Sequence, residues 1–215
     1  SHVKDTEKIR QCFDKLSKNT FGLSFESWYQ NHYWGNDYIP HVLLDDERVV
    51  ANVSVNIINT SWNDQKKHYI QLGTIMTDPG YRNRGLAGFL MEKVLSEWED
   101  KCDAVYLFAN DSVLNFYPKF GFISAKEYQA GTHVSKSAET VRKLNMSNEQ
   151  DRCLLLNKYK MYSNPYSALP MINNTGLLMF YCSQFMKESV YYIEQYDAIV
   201  IAEYTGNTLL CYDIY

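Results

Sequence analysis

The chain has 215 residues, 46% of them hydrophobic and 21% charged, with a formal net charge of -4 and a pI near 5.7. That length holds one large domain, or one domain with a smaller companion, and the balance is ordinary for a globular protein. No apolar run approaches the roughly 20 residues of a membrane-spanning helix, and the acidic charge argues against nucleic acid, whose binders present a basic face.

Thr6 to Leu16 sets Ile9, Phe13 and Leu16 on one face at helical spacing, and Asn19 to Gly22 breaks the pattern. Ser24 is placed to cap a second helix through Glu26 to Tyr29, which ends by Gly35 to Asp37. His41 to Leu44 reads as a strand, Asp45 to Arg48 as a turn, and Val49 to Ile58 as the returning strand. His68 to Thr77 is a third strand, stopped by Asp78, Pro79 and Gly80. From Arg84 the period is helical, with Leu86, Phe89, Leu90, Val94, Leu95 and Trp98 on one broad face. Ala104 to Ala109 is a short continuous apolar run suited to a central strand. Asp111 or Ser112 then caps a short helix through Phe116, and Phe122 to Tyr128 is a last strand. This order implies an α/β chain with a mixed sheet and helices on its faces.

Between Ala130 and Asn148 the chain turns polar, which divides it into a domain over residues 1–130 and a smaller α+β unit over 131–215. In the second unit Gln150 to Tyr162 and Thr175 to Lys187 read as helices and Val190 to Ile193 as a strand. Ala198 to Tyr204 and Thr208 to Ile214 form a hairpin about Gly206. Two helices before a hairpin repeat the order of residues 6–58, so the unit is either a partial internal repeat or an unrelated dimerisation or cap module.

Cys12, Cys102, Cys153, Cys182 and Cys211 form no C-x-x-C pair, which fits buried thiols in a reducing cytosol. The opening Ser1 to Asp5 has no apolar signal core. His41, His68 and His133 have no ligand spacing, so no metal is expected.

The informative stretch runs from Gln71 to Gly88. A strand enters a Pro-Gly turn, and a helix opens at Arg82-Asn83-Arg84-Gly85-Leu86-Ala87. The first N–H groups of a helix lack intrahelical partners and carry the positive end of its dipole, a site for phosphate or pyrophosphate. Gly85 removes a Cβ where a phosphate must come close. Arg82 and Arg84 add charge-assisted contacts. A P-loop is excluded because no Lys-Ser/Thr follows, and the glycine spacing does not suit a dinucleotide fold.

The next strand, Val105 to Asn110, is followed by Phe116-Tyr117-Pro118-Lys119-Phe120-Gly121-Phe122. With Arg82 to Ala87 as a Q/R-x-x-G-x-G/A signature, this order resembles the GNAT superfamily of N-acetyltransferases, over roughly residues 5–128. The resemblance implies the acyl-CoA N-acyltransferase fold for the first unit, and a repeat in the second, if it is one, would be a partial GNAT-like copy. It also implies acetyl-CoA as co-substrate, and direct attack by a primary amine of a small molecule or peptide in a ternary complex. It places the pantetheine arm along Ile75, Met76 and Thr77. The pyrophosphate falls on Arg82, Asn83, Arg84, Gly85, Leu86 and Ala87, with a polar contact from Asn110. Tyr117 becomes the acid that protonates the leaving thiolate.

A phenol with a pKa of about 10 is suited to that task, since a thiol titrates at about 8.5. Histone-type members carry a glutamate base where this chain has Gln71, which cannot accept a proton. Glu26, His32 and Asp78 are candidate substitutes, beside a water chain or an amine that arrives neutral. The acceptor pocket is expected to draw on Trp28, Tyr33 and Gln71, with Tyr29, Trp34 and Tyr38 as further aromatic walls or as core. The alternative class is a CoA-binding sensor or interaction module without turnover. Neither nucleic acid nor a membrane is an expected partner, and a homodimer is one arrangement that residues 131–215 would serve.

Overall fold

The computed structural model describes residues 3–134, 140–161 and 169–215. Its contacts form two units, Ser1–Ile123 and Ser124–Tyr215, each with its own four-stranded sheet. No described helix is long and apolar enough to cross a membrane.

The first unit opens with α1 (Glu7–Phe21), which buries Phe13 and Leu16 and runs past the expected break. The Thr20 hydroxyl donates to the Leu16 carbonyl at 2.8 Å, and Gly22, at φ 70, ends the helix by donating to Lys18 at 2.9 Å. A five-residue helix, α2 (Glu26–Gln30), follows. Its start is held by Asp14 of α1 rather than by Ser24. Asp14 Oδ1 accepts from the Phe25 N–H at 2.6 Å, the Glu26 N–H at 3.3 Å and the Ser24 hydroxyl at 3.0 Å. A carboxylate is the stronger acceptor, and the fold brings it from eleven residues upstream. Burial opposes ionisation of Asp14, but Lys18, the Phe25 N–H and Ser24 outweigh it and hold the carboxyl below its usual range.

Strands β1 (Tyr38–Asp45), β2 (Arg48–Trp62) and β3 (Gln65–Thr77) form an antiparallel meander, and β4 (Ala104–Leu107) joins β3 in parallel. The expected mixed sheet is present. Helix α3 (Leu86–Trp98) covers one face, packing Leu90, Met91 and Val94 against Val53, Val55, Ile70 and Leu72. The alternate residues of β2, Asn52, Ser54 and Asn56, are buried as well. On that side lie Phe13, Phe25, Trp28, Trp34 and Tyr38, their rings 5.1 to 6.4 Å apart.

Three further expectations for this unit change. The run Ala104 to Ala109 is an edge strand ending at Leu107, not a central one, and Phe108 is 71% exposed. The helix expected over Asp111 to Phe116 is replaced by 3-10 turns at Asp111–Val113 and Tyr117–Phe120. So short a stretch, stopped by Pro118 and by Gly121 at φ 85, cannot complete α-helical turns. No strand forms over Phe122 to Tyr128, because beyond half-buried Phe122 the segment has too little apolar surface to bury, and Ile123 and Tyr128 lie in the open.

The second unit contains β5 (Val141–Lys143), α4 (Glu149–Met161), α5 (Thr175–Cys182), β6 (Val190–Ile193), β7 (Ala198–Thr205) and β8 (Thr208–Ile214), with an antiparallel sheet ordered β5-β6-β7-β8. Tyr162, the expected last residue of α4, lies outside the described residues. Helix α5 begins where the Asn174 side chain accepts from the Leu177 N–H at 2.9 Å, and it stops five residues before Lys187. Strand β5 is three exposed residues, too short for sequence periodicity to register. The core gathers Leu144, Leu155, Met179, Val190 and Ile199. Of the thiols expected to be buried only Cys182 is: Cys153 and Cys211 lie on the solvent-facing sides of α4 and β8, and Cys12 and Cys102 are half-buried. Two helices followed by an antiparallel three-strand meander, β6-β7-β8, repeat the order of α1, α2 and β1-β2-β3.

Asp14 generates a prediction. Asp14→Ala removes the charged acceptor of the Phe25 N–H, the Glu26 N–H and the Ser24 hydroxyl and should lower stability at neutral pH by about 2–3 kcal/mol, read from urea unfolding. A folded carboxyl pKa below the unfolded value stabilises above about pH 3.9 and less as pH falls through the folded value. The gap between the two proteins should therefore close on acidification. Equal urea midpoints at pH 7 would refute the cap.

Candidate functional site

Strand β3 organises the first unit. It pairs with β2 along its length but with β4 only from Tyr69 to Leu72, the last partner being Leu107. From Gly73 to Thr77 no strand takes that second edge among the described residues. Ile75, Met76 and Thr77 lie on this free edge.

A bulge marks where the strands part. Ser54 pairs with Gly73 and Asn52 with Met76, so β3 carries one extra residue there, and Thr74 adopts φ 50. A β-branched residue at positive φ is an outlier, costing of order 1–3 kcal/mol. A buried polar cluster holds it. Asn52 Nδ2 donates to the Thr74 carbonyl at 2.7 Å and to Ser54 Oγ at 2.8 Å. Ser54 donates to the Tyr38 hydroxyl at 2.8 Å, and Tyr38 lies 2.9 Å from Thr74 Oγ1. Burial drives the Tyr38 pKa upward, outweighing both hydroxyl contacts, so the phenol stays neutral. Asn52 Oδ1 is buried with no hydrogen-bond partner among the described residues.

Past Thr77 the chain turns through Pro79–Tyr81. Asp78 accepts from the Gly80 N–H at 3.0 Å and from Arg48 at 2.6 Å. Asn83 at φ 61 and Gly85 at φ 76 then swing it into α3. The Phe89 N–H makes the first intrahelical bond, to Gly85 O at 3.0 Å, so the N–H groups of Leu86, Ala87 and Gly88 precede the helical ladder. Arg82, Asn83, Arg84 and Gly85 are exposed, and a Cβ on Gly85 would meet nothing within 4 Å. An anion can approach here. Arg84 donates to Gly80 O at 3.2 Å and lies 4.9 Å from the Tyr81 ring centroid, which ties it to the loop. Arg82 donates only through Nε, to Thr77 O at 3.4 Å, among the described residues.

The second motif packs on the same helix. A Cβ on Gly88 would stand 3.6 Å from Phe120 Cζ, so the small residue lets the Phe116–Phe122 segment close on α3. Tyr117 is 9% exposed within the α3 core cluster, its ring 5.3 Å from Phe116 and 6.2 Å from Phe122. Burial raises its pKa, and no hydrogen bond reaches its hydroxyl among the described residues. Phenol and helix start thus share one side of the sheet. Asn110 stands apart, exposed at the start of the Asp111–Val113 turn, three residues past β4.

Trp28 is buried, its ring 5.6 Å from Trp34 and 6.1 Å from Phe25, which makes it a rear wall rather than an open face. Tyr33 and Gln71 are half-buried, Gln71 registering between Asn56 and Tyr106. Glu26 is held below its usual pKa by Gln30 and Arg10. Asp78 is held down by Arg48 and the Gly80 N–H against the opposing effect of burial. Carboxyls so engaged are weak proton acceptors at neutral pH. His32 is exposed at φ 60.

Sequence reasoning missed the Asn52, Ser54 and Thr74 cluster. Its only trace is the alternation of Asn52, Ser54 and Asn56 with Ala51, Val53 and Val55, which reads equally as a strand with one wet face.

The model of the Acetyltransferase (GNAT) family matches residues 9–122. Among solved structures, a Trypanosoma brucei acetyltransferase is 21% identical, with 58% of this chain and 92% of its own covered and a TM-score of 0.47. A glucosamine-6-phosphate N-acetyltransferase from Arabidopsis thaliana is 18% identical, with 60% and 92% covered and a TM-score of 0.46. A conserved protein of unknown function from Enterococcus faecalis V583, designated a probable N-acyltransferase, is 14% identical, with 93% of this chain and 54% of its own covered and a TM-score of 0.56. That likeness is one of fold, and this chain spans about half of that protein's length. No curated protein matches the sequence.

The left-handed helix start is directly testable. Gly85→Ala forces a side chain into φ 76, ψ 4 and should cost about 1–2 kcal/mol in urea unfolding. Gly85→Asn, whose side chain tolerates that region, should cost less. An alanine variant as stable as the parent would show that the loop relaxes and the glycine is dispensable to the fold.

Proposed function

The chain belongs to the GNAT acetyltransferase family, and on that premise we propose that it transfers the acetyl group of acetyl-CoA to a primary amine of a small molecule or peptide. One observation carries the reading. The edge of β3 left open from Gly73 to Thr77 leads directly into an exposed helix start at Gly85. An extended amide-bearing arm can pair along Ile75, Met76 and Thr77 as an added strand would. Its pyrophosphate then meets the N–H groups from Gly85 to Ala87, with Arg82 beside them and Asn110 as a further polar contact.

In this reading the amine attacks the thioester carbonyl within the ternary complex. The C–N bond forms, the C–S bond breaks, the amine loses one proton to water, and the departing sulfur takes one from Tyr117, which is reprotonated from solvent. Backbone N–H groups near Met76 polarise the carbonyl. The raised pKa of Tyr117 keeps the acid protonated at neutral pH. The absence of a carboxylate at Gln71 favours amines that arrive neutral, or a proton path through water, over a histone-type acceptor. Half-buried Tyr33 and Gln71 line the acceptor side, with Trp28 behind them.

The other reading is a CoA-binding module without turnover. It is supported by the engagement of both candidate carboxylates, Glu26 and Asp78, in ion pairs.

A thiol-release assay with acetyl-CoA and an amine panel distinguishes the two. Tyr117→Phe should lower kcat at least tenfold, a general acid being worth roughly 10² to 10⁴, while CoA affinity measured by calorimetry changes less than about threefold. The parent should keep its acid function on the alkaline side to above about pH 10. CoA binding with no turnover on any amine would replace the enzyme with the sensor, and absence of CoA binding would end both.

A further inference from the structure

The buried cluster at the bulge has a direction. Asn52 Nδ2 must be the amide atom facing the Thr74 carbonyl, since a carbonyl only accepts. The same nitrogen donates to Ser54 Oγ, and Ser54 donates its single proton to the Tyr38 hydroxyl. Tyr38 has no other partner than Ser54 and Thr74 among the described residues, so its own proton goes to Thr74 Oγ1, since a buried phenol proton left unpaired would be costly. Each upstream donor is thereby committed inward. The hydroxyl proton of Thr74 is the one left over, on a half-buried side chain.

Two further observations show that this arrangement is maintained at a cost. Thr74 is β-branched yet held at φ 50, and Asn52, 0% exposed, leaves Oδ1 without a donor among the described residues. Unfavourable local states of this kind persist where the surroundings over-determine them, and they gather at working sites.

The position is also specific. On the reading that the pyrophosphate lies at Gly85 and the arm runs back along Thr77, Met76 and Ile75, the next residue reached is Thr74. Beyond it Leu72 and Leu107 close the gap between β3 and β4. The reactive end of the arm must stop there. We propose that the Thr74 hydroxyl donates a hydrogen bond to the carbonyl oxygen of the bound thioester, and that Tyr38 and Ser54 act as positioning residues that aim it. This side-chain donor supplements the backbone N–H groups, and its bond strengthens as the carbonyl oxygen gains negative charge on attack. The inference rests on the acetyl-CoA reading and adds a residue to it.

The test uses acetyl-CoA carrying ¹³C at the thioester carbonyl, bound to the full chain at saturation and read by isotope-edited infrared difference spectroscopy. The carbonyl band of the parent should lie at lower frequency than that of Thr74→Val. Thr74→Ser should restore the parent's band, and Tyr38→Phe should move it part of the way toward that of the valine variant. With any amine turned over, Thr74→Val should lower kcat on the order of 10²-fold with KM for acetyl-CoA within about threefold, and Thr74→Ser should recover most of it. Should the valine variant fail to fold, Thr74→Ala supplies the same comparison. Identical bands for the parent and a folded variant without the hydroxyl would overturn the assignment of Thr74 alone. A parent that binds no acetyl-CoA would overturn the cofactor reading, and this inference with it.

Discussion

Pairing between β3 and β4 lasts four residues and then stops, and the layout of the first unit follows from that limit. Up to Leu72 the two strands are parallel neighbours in one sheet. Beyond it β3 continues to Thr77 with β2 on one side only. A strand edge without a partner is an unmet hydrogen-bonding demand, normally blunted or covered. Here it leads straight into the positive end of α3. An open strand edge and an exposed helix start are thus placed in series on one continuous segment, and the second motif is fastened to the same helix through Gly88 and Phe120.

The bulge at Thr74 is the counterpart of that parting. With aromatic rings on one face and α3 on the other, the stretch of β2 from Val49 to Asn56 is buried on both sides, and the polar side chains it carries must be answered within the protein. Asn52 and Ser54 are answered largely by the bulge and by Tyr38, yet one acceptor has no partner among the described residues and one residue stays in a disfavoured conformation. A core built only for stability would place apolar residues here. The polar cluster therefore reads as a constraint on where the β3 backbone points.

The helices, the meander and the C-terminal hairpin were legible because periodicity and turn residues act locally. Ile9, Phe13 and Leu16 mark α1 by spacing alone, and Gly206 marks the β7–β8 turn at φ 61. The two chemical motifs were legible for the same reason, since a glycine at a helix start and a Phe-Tyr segment of fixed length are short-range signals. Elements that depend on partners were read less well. The strand expected over Phe122 to Tyr128 had suitable residue types, but Ile123 and Tyr128 find no surface to pack against and lie exposed. The cap of α2 was assigned to the neighbouring Ser24, when the stronger acceptor came from Asp14 of another helix.

The sequence by itself determined the order of the main helices and of the meander strands, the opening of a helix just after Gly85, and membership of the family whose motifs it carries. Tertiary structure alone decided that β3 parts from β4 after Leu72, that Trp28 lies inside the aromatic core, and that Tyr38, Asn52, Ser54 and Thr74 meet around one bulge. The reason is range. Helix periodicity and glycine's access to positive φ act within a few residues, whereas strand register, burial on a second face and a hydrogen-bond chain joining residues 38, 52, 54 and 74 exist only once distant segments have been packed together.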